Sequence, residues 1–544
     1  MENLRFILAI SLALVGSMLW QAWEQDYDTP PPAPSSVIAT PPTTVAAPVP
    51  AAPAESTPTA AEIAPPVATG KTIEVTTDVL RLVITTTGAG ISRAELLQYP
   101  LHLEQPDEPM LLLDNGPATQ YAIRGGLLAQ TGAPTHTSEF SVAQGSYQMA
   151  AGQDSLTVPL QWHEGDLRIT KEFIFTRGSY EITVRYRVEN GTGLPWVGRS
   201  YTHMQVFDAD QGGMKLIYTY KGAALSSPEK RYEKIDFDDL REGNLKRDIS
   251  NGWVAMLQHY FVTALLPARL DMPYHYYSSS LGDNRFTIGL ISPPVEVAGM
   301  GEGVLKERLF IGPKVQELLE HVAEGLNLTV DYGALWFLAK PLFIGLVWLH
   351  DLTGNWGWAI ILVTVLLKIL FYKLSAAGYK SMANMRRVQP RLKALQERYK
   401  DDRARLNQAM MQIYKEEKIN PFGGCLPILI QIPVFIALYW VLLESVEMRQ
   451  APFILWIKDL SSPDPYWVLP LVMGVTMFIQ QKLNPAPMDP VQEKVMQIMP
   501  FAFTIFFGFF PAGLVLYWVA NNILSIAQQW LITRNIERGA KGSS

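Results

Sequence analysis

Residues 356–372 have the sequence WGWAIILVTVLLKILFY, an apolar run that contains a single charge, Lys368. Such a run is close to the roughly 20 residues that an α-helix needs to span a bilayer. A charged side chain inside a span is costly, so it is a functional hypothesis by default. The alternative is that the lysine only extends its stem to the nearer headgroups. The stretch predicts a membrane-spanning helix with a candidate working site at Lys368.

Apolar segments of similar length follow this run. They predict further spans at residues 421–443, 466–481, 495–510 and 513–532, which together with 356–372 form a five-span core within residues 353–535. Pro511-Ala512-Gly513 separates the last two spans and predicts a tight hairpin. We expect a membrane α-helical core.

Two apolar segments precede the core. Residues 1–24 are interpreted as an uncleaved transmembrane anchor, because no A-x-A cleavage site follows the apolar run, although a cleaved signal peptide is the alternative. Residues 327–352 are apolar but interrupted by Lys340-Pro341, which favours an amphipathic helix in the membrane interface. A tilted span is the alternative for this second segment. The anchor and the core together predict six spans.

Between these segments the composition changes twice along the chain of 544 residues. Residues 25–70 are rich in Pro, Ala and Thr and predict a semi-extended linker. Within residues 71–326, runs such as Thr72–Thr76, Leu167–Phe175 and Tyr180–Val188 alternate apolar and polar residues, which is typical of half-buried strands. We expect a large antiparallel β-sandwich there. The single cysteine excludes a disulfide framework.

The loop between the first two core spans is densely basic. Residues 375–418 have helical composition broken near Tyr399-Lys400-Asp401-Asp402, which predicts a helical hairpin, and Pro390 should kink its first arm. Basic loops favour the cytoplasm, so both chain ends and the hairpin are predicted to be cytoplasmic and the β domain external. Residues 536–544 would form a short cytoplasmic tail.

Polar residues recur at helical spacing within the predicted spans. Thr364, Lys368 and Tyr372 are four residues apart, which would place them on one helix face. Further polar positions are Gln431 in the second core span, Thr476 and Gln480 in the third, and Tyr517, Asn521 and Ser525 in the last. Lipid cannot satisfy these groups, so they should face one another or water. Interhelical hydrogen bonding and a hydrated groove both remain open. The apolar run Phe506–Phe510 favours a groove closed on the outer side.

Several long motifs resemble the YidC/Oxa/Alb family of membrane protein insertases, in particular its Gram-negative inner-membrane members. The likeness covers the whole chain, and these are the stretches that carry it: residues 354–357 (GNWG), 420–427 (NPFGGCLP), 431–435 (QIPVF), 443–453 (LESVEMRQAPF), 473–477 (MGVTM) and 511–518 (PAGLVLYW).

The resemblance implies a function and a site. The family inserts and folds inner-membrane proteins, alone or with the Sec translocon, through a hydrophilic groove open to the cytoplasm and lipid, and its periplasmic domain is a β-supersandwich resembling galactose mutarotases. Mapped onto this sequence, the groove would contain Lys368, Thr364, Gln431, Tyr517, Trp518 and Asn521. Expected partners are nascent inner-membrane proteins, the Sec translocon, a ribosome or targeting factors, and membrane lipids. Arg386, Arg387 and Lys393 are candidate hairpin contacts, with a solvated face near anionic lipid as the alternative.

Two positions depart from the family pattern. Lys368 stands where Gram-negative relatives usually have arginine. Lysine keeps the positive charge but lacks the planar guanidinium group, which can bind a carboxylate through two parallel hydrogen bonds. Trp518 stands where a second tyrosine is frequent.

Two other classes of function are alternatives to an insertase. A transporter or channel is disfavoured because no repeated pair of charged or Gly-broken spans is present. A tethered sugar-processing enzyme would have to use His136, His163, His203 and His259, among which no acid–base pair is visible. The chain is expected not to be an enzyme and to need no cofactor or metal, and no direct nucleic-acid partner is expected.

Overall fold

The structure is a computed structural model. It describes residues 71–116, 119–130, 132–208, 219–242, 245–282, 284–399, 402–417, 426–484 and 490–541. The predicted anchor (1–24), the predicted linker (25–70) and Cys425 lie outside these residues.

In the described part of residues 72–313, nineteen strands make up most of the chain. They are β1 (Thr72–Thr76), β2 (Leu80–Thr85), β3 (Ile91–His102), β4 (Gln105–Asp114), β5 (Ala122–Ala129), β6 (Ser146–Gln148), β7 (Ser155–Glu164), β8 (Leu167–Thr176), β9 (Glu181–Asn190), β10 (Trp196–Phe207), β11 (Gly222–Ser226), β12 (Glu233–Ile235), β13 (Lys246–Ile249), β14 (Trp253–Gln258), β15 (Phe261–Pro267), β16 (Tyr274–Gly282), β17 (Arg285–Ile291), β18 (Val295–Val297) and β19 (Gly301–Pro313).

The strands form two sheets. The first has eleven strands, with β13-β16-β17-β10-β5-β3-β2-β1-β6 in order, β18 paired to β10 and β4 paired to β3. The second has eight, in the order β12-β11-β14-β15-β19-β9-β8-β7. The pairing is antiparallel except between β1 and β6. Both sheets contribute to one apolar core, for example Leu82 from the first and Phe173 from the second. A domain that is mostly β-sheet is confirmed for this part of the chain, and the sandwich arrangement stays a prediction.

Alternation of side chains explains why these segments form strands. In β1 and β9 alternate residues are buried, so one face of each strand packs on the core and the other meets solvent. The predicted run Thr72–Thr76 coincides with β1, and the runs that begin at Leu167 and Tyr180 correspond to β8 and β9.

Ten helices are described. They are α1 (Phe237–Glu242), α2 (Gln316–Val322), α3 (Trp336–Thr353), α4 (Trp356–Leu370), α5 (Tyr372–Arg398), α6 (Arg403–Glu416), α7 (Leu426–Glu444), α8 (Val468–Leu483), α9 (Pro490–Phe507) and α10 (Ala512–Lys541). Short 3-10 turns lie at Leu326–Thr329, Gly333–Leu335 and Val446–Met448.

The helices follow the predicted spans with shifted ends. The last predicted span ends at 532, whereas α10 continues to Lys541 and into the predicted tail. By length and composition, one described helix is long enough to cross a membrane, Gly333–Thr353, and a second candidate is the bent pair α4–α5. Gly333–Thr353 is the segment assigned to the interface, so this assignment stays a prediction. The six-span count also stays a prediction.

The Gly354-Asn355-Trp356-Gly357 motif forms the junction between α3 and α4. Gly354 ends α3 with a φ of 66°, a conformation that glycine adopts without strain. The Asn355 side chain caps α4 by accepting a hydrogen bond from the Trp358 backbone N–H, and its amide donates to the Phe453 carbonyl at 3.1 Å. A Cβ at Gly357 would lie 2.0 Å from the Phe453 ring. The motif therefore ties this junction to the loop after α7.

The helix that carries Lys368 ends sooner than expected. α4 stops at Leu370, and α5 leaves it at an angle of 70°. Tyr372 begins α5 and is 52% exposed, so it does not share a helix face with Thr364 and Lys368. The prediction for Tyr372 is wrong because equal spacing aligns side chains only within one continuous helix.

The hairpin consists of α5 and α6. Its own small core is formed by Val388 and Leu392, packed against Met410, Ile413 and Tyr414. α5 runs through Pro390 as one helix, and the expected kink at this residue stays a prediction. The predicted break between the arms lies between Arg398 and Arg403.

The β domain contacts the other end of the helical core, where α7 ends. Lys314, which follows β19, forms a buried ion pair with Glu444, with 3.1 Å between Nζ and Oε2. His259 bonds to the Leu443 carbonyl at 3.0 Å, and Arg449 donates to the Pro100 carbonyl at 2.6 Å. The hairpin and the β domain are thus attached to opposite ends of α7 and its neighbours.

Candidate functional site

A cavity surrounds Lys368 where the hairpin joins the helical core. It has an empty volume of about 420 Å³ and is lined from α4, α5, α7 and α10, with Thr364, Ser375, Gln431 and Tyr517 in its wall. Among the described residues that line it, Lys368 carries the only charge. The position next to α5 places this charge at the end of the core that carries the hairpin.

Hydrogen bonds join three helices beside Lys368. The Lys368 ammonium donates to the Ser525 hydroxyl at 2.7 Å, and Ser525 donates to the backbone carbonyl of Asn521 at 2.7 Å. The Asn521 side chain accepts from the Gln431 amide at 2.6 Å. The network therefore links α4, α10 and α7. Interhelical hydrogen bonding, one of the two open alternatives, is present beside the cavity, and the hydrated groove stays a prediction.

Thr364, Tyr517 and Trp518 lie close to this network but contribute differently. The Thr364 hydroxyl donates to the Ile360 carbonyl of its own helix at 2.7 Å. Tyr517 is 2% exposed and stacks on Phe435 with 6.0 Å between ring centroids. The Trp518 Nε1 is buried and has no hydrogen-bond partner among the described residues. Its indole is thus a free donor beside the cavity wall.

A larger cavity adjoins the first. Its empty volume is about 1430 Å³, and the two cavities share Ser375, Gln431, Tyr517 and Asn521 as wall residues. Ser525 and Trp518 line the larger one, together with methionines from several helices: Met382, Met477, Met496 and Met499. Methionine side chains adapt to apolar partners of varied shape. The larger cavity therefore combines a polar edge with a compliant apolar wall.

Aromatic rings pack together next to these cavities. Phe507 and Phe510 are buried and lie 5.2 Å apart by ring centroid, and Phe507 packs against Trp518 at 5.5 Å. Phe506 and Phe509 are instead exposed, at 43% and 52%. The predicted apolar cap thus uses two of its phenylalanines inside the bundle, while the other two face outward.

The predicted hairpin residues do not join the cavity. Arg386, Arg387 and Lys393 are all exposed on α5. Arg387 pairs with Glu417 at 2.8 Å, and Arg391 binds the other oxygen of the same carboxylate at 2.9 Å. Part of the basic face therefore ties the two arms together.

Ser525 and Ser375 are among the cavity residues that the predicted site did not include. Ser525 is one of the polar residues noted in the last predicted span, but it was not assigned to the site. Its four-residue spacing from Asn521 places both residues on one helix face and could have identified it. Ser375 lines both cavities and lies on α5, which leaves α4 at an angle of 70°. No spacing rule finds Ser375, since it lies beyond the break in the helix.

The four histidines proposed for an enzyme do not form one site. His136 and His203 are neighbours in the β domain, with ring centroids 5.6 Å apart. His163 is exposed on β7, and His259 bonds to the core at Leu443. Within the part of the chain that the structure describes, no group of three or more His, Cys, Asp or Glu residues could hold a metal.

Comparison with known proteins covers nearly the full chain. The family model described as "60Kd inner membrane protein" matches residues 348–539, and the one described as "YidC periplasmic domain" matches residues 72–345. The membrane protein insertase YidC of Nitrosococcus oceani is 49% identical over 99% of this chain and 100% of its own length. That of Thioalkalivibrio sulfidiphilus is 48% identical over the same shares.

Solved structures show weaker similarity. A crystal structure of an active YidC insertase aligns with a TM-score of 0.39 and 21% identity, over 85% of this chain and 92% of its own. A galactose mutarotase related enzyme from Lactobacillus acidophilus aligns with a TM-score of 0.30 over 44% of this chain and 97% of its own. The family assignment therefore rests on the sequence matches. They show that the chain belongs to the YidC family of membrane protein insertases. This agrees with the expectation that it is not an enzyme.

Proposed function

We propose that this protein inserts and folds inner-membrane proteins by receiving their polar segments in the cavities beside Lys368. The observation that carries the proposal is one positive charge in a polar network, next to a larger cavity with adaptable apolar walls. Moving a polar segment into hydrocarbon is the costly step of insertion. A polar cavity partway into the bilayer shortens that path, and Lys368 stabilises acidic groups on it.

The proposed orientation places the hairpin in the cytoplasm and the β domain in the periplasm. The basic residues of the hairpin support it, as does the description of the family model that matches residues 72–345. The cavities then open towards the cytoplasm, and the Phe507–Phe510 cluster closes them on the outer side. With the anchor, six spans would place both chain ends inside.

The proposed partners follow from this orientation. Nascent inner-membrane proteins enter from the cytoplasmic side, and their apolar spans leave into lipid between α7 and α9, the second and fourth core helices. Exposed Arg386 and Lys393 would meet a ribosome, a targeting factor or anionic lipid. We also propose that the protein cooperates with the Sec translocon, because the family resemblance implies it.

Charge variants of Lys368 test the proposal. We expect Lys368→Glu to impair insertion of a substrate with an acidic translocated tail several-fold more than Lys368→Arg. A matched substrate whose tail acids are changed to amides should respond much less. The measurement is protease protection after insertion into liposomes that contain the purified variants. Equal effects of the two variants on the acidic substrate would contradict the role of the charge.

A crosslinking experiment tests the location. A photoreactive residue at Leu367, which lines the cavity, should capture nascent membrane protein during insertion. The same residue at exposed Leu455, in the loop after α7, serves as the control. Capture of lipid alone at position 367 during active insertion would show that substrates do not enter this cavity.

A further inference from the structure

The β domain has a pocket that the proposed insertase function does not use. It lies where β2, β3 and β5 meet, and its empty volume is about 370 Å³. Its polar lining includes Thr87, Ser92, Asn115, Arg124 and His136.

Arg124 is the charged residue of the pocket lining, and it has no counter-ion within the described part of the chain. Its Nε is buried without a hydrogen-bond partner. Burial lowers the pKa of the Arg124 guanidinium, and no carboxylate raises it in turn. A partly buried cation without a partner costs folding free energy, so its presence calls for an explanation.

A second cation, Lys171, lies near the pocket, and the buried carboxylate of Glu307 interacts with its charge. The buried Lys171 ammonium donates to the Ala89 carbonyl at 2.8 Å and the Gly88 carbonyl at 3.3 Å, in the turn that borders the pocket. The carboxylates in this region include Glu307 and Glu139. Glu307 is buried and accepts a hydrogen bond from Thr202, and exposed Glu139 accepts one from Thr87. Neither lines the pocket.

Other lining groups suit an anion. The Asn115 side chain makes no hydrogen bond within the described residues, so its amide can donate to a ligand. The His136 Nδ1 lies 2.7 Å from the Tyr201 hydroxyl, which fixes the imidazole in the pocket wall. Gly88 has a φ of +70°, and a Cβ there would lie 2.1 Å from the His136 carbonyl, so the wall needs glycine at this point.

We propose that this pocket binds a small oxyanion, a carboxylate or phosphate group, on the guanidinium of Arg124 with the amide of Asn115 beside it. Arginine suits this task because its planar fork matches the geometry of both groups. The site is independent of the cavity around Lys368, so either proposal can fail without the other.

Thermal unfolding of the full-length protein in a phosphate-free maltoside detergent tests the proposal. Inorganic phosphate or acetate replaces chloride at constant ionic strength, and isothermal titration gives the affinity. We expect at least one anion to raise the Tm of the wild type. Arg124→Met should lower that affinity at least tenfold, and Arg124→Lys should weaken it less. Arg168→Met, which removes an exposed charge of the same domain, should leave it unchanged.

The two anions distinguish the chemical class of the ligand. A response to phosphate alone shows that the site selects a phosphate group, whereas a response to acetate alone shows that it selects a carboxylate. In chloride, Arg124→Met should melt at a higher temperature than the wild type, because the unpaired charge is gone. A lower Tm for Arg124→Met in chloride, together with an anion response equal to that of the wild type, would show that Arg124 serves packing only and would overturn the proposal.

Discussion

Lys368 has three N–H donors, and the structure assigns one of them to Ser525. Because Ser525 gives its own proton to the Asn521 carbonyl, its oxygen lone pairs are turned towards the ammonium. The serine lines the larger cavity, so it holds the lysine head at the boundary between the two cavities. The remaining donors of Lys368 can then meet a substrate.

Ser525→Ala should reduce insertion of an acidic-tailed substrate several-fold, because a hydrogen bond to a charged group is lost, typically about 1.5–3 kcal/mol. Ser525→Thr should restore it. Ser445→Ala is the matched control, since that buried hydroxyl also bonds to a carbonyl four residues earlier, far from Lys368. Protease protection measures the outcome. If Ser525→Ala and Ser445→Ala behave alike, Ser525 has no positioning role.

Glu447, in the turn after α7, predicts a pH dependence of stability. Burial raises the pKa of its carboxyl to about 7. The folded state therefore keeps the proton while the unfolded state loses it near the ordinary carboxyl pKa. Its contribution to stability is complete at low pH and is lost as the pH rises to about 7.

Glu447→Gln should match the wild-type Tm at pH about 4.5, near the unfolded carboxyl pKa, and exceed it at pH about 8, because the amide never ionises. Thermal unfolding of the full-length protein in detergent provides the measurement. Exposed Glu302→Gln should show no such difference between the two pH values. A Tm gain for Glu447→Gln that is equal at both would contradict the assignment.

At the scale of elements, few buried contacts stabilise the hairpin formed by α5 and α6. Its buried core is Val388 and Leu392, each 2% exposed, and its ion pairs through Glu417 involve arginines that are 63% and 70% exposed. Exposed pairs contribute about 0–1 kcal/mol. The hairpin should therefore open locally before the rest of the protein unfolds.

Leu392→Ala should speed amide hydrogen exchange throughout α5 and α6, because a core leucine truncation costs about 2–5 kcal/mol. Exchange in the β domain should not change. Met411→Ala on the other arm, where the side chain is 45% exposed, should have a small effect. Uniform destabilisation of the whole chain by Leu392→Ala would show that the hairpin is not a separate unit.

At the scale of the whole molecule, the ion pair between Lys314 and Glu444 joins the β domain to the helical core. The side chains are 4% and 7% exposed, so each depends on the other for charge compensation. Removing one member of a buried pair costs about 3–5 kcal/mol, whereas replacing both by apolar residues is often neutral.

Glu444→Gln should lower the Tm of the full-length protein markedly, and Lys314→Met combined with Glu444→Leu should recover most of the loss. The exposed pair Lys340–Glu320, at 48% and 47% exposure, provides the control, and Glu320→Gln should change the Tm little. Differential scanning calorimetry would also report whether the two parts unfold together. A double variant as unstable as Glu444→Gln would contradict a compensating pair.

The sequence alone determined the division into a β domain and an apolar helical core. Both follow from the pattern of apolar and polar side chains along consecutive residues. β1 was predicted to the residue, and Lys368, Gln431 and Asn521 were assigned to one site that the structure brings together. Long motifs such as residues 443–453 indicated the family.

Only the tertiary structure decided how the cavity around Lys368 is built. The break at Phe371 removed Tyr372 from the site and turned α5 so that Ser375 entered it. Ser525 became the partner of Lys368 through a contact across 157 residues of sequence. The isolation of Arg124 is likewise visible only in three dimensions. Periodicity describes one helix or strand at a time, whereas hydrogen bonding and charge compensation depend on which residues the packed elements bring together.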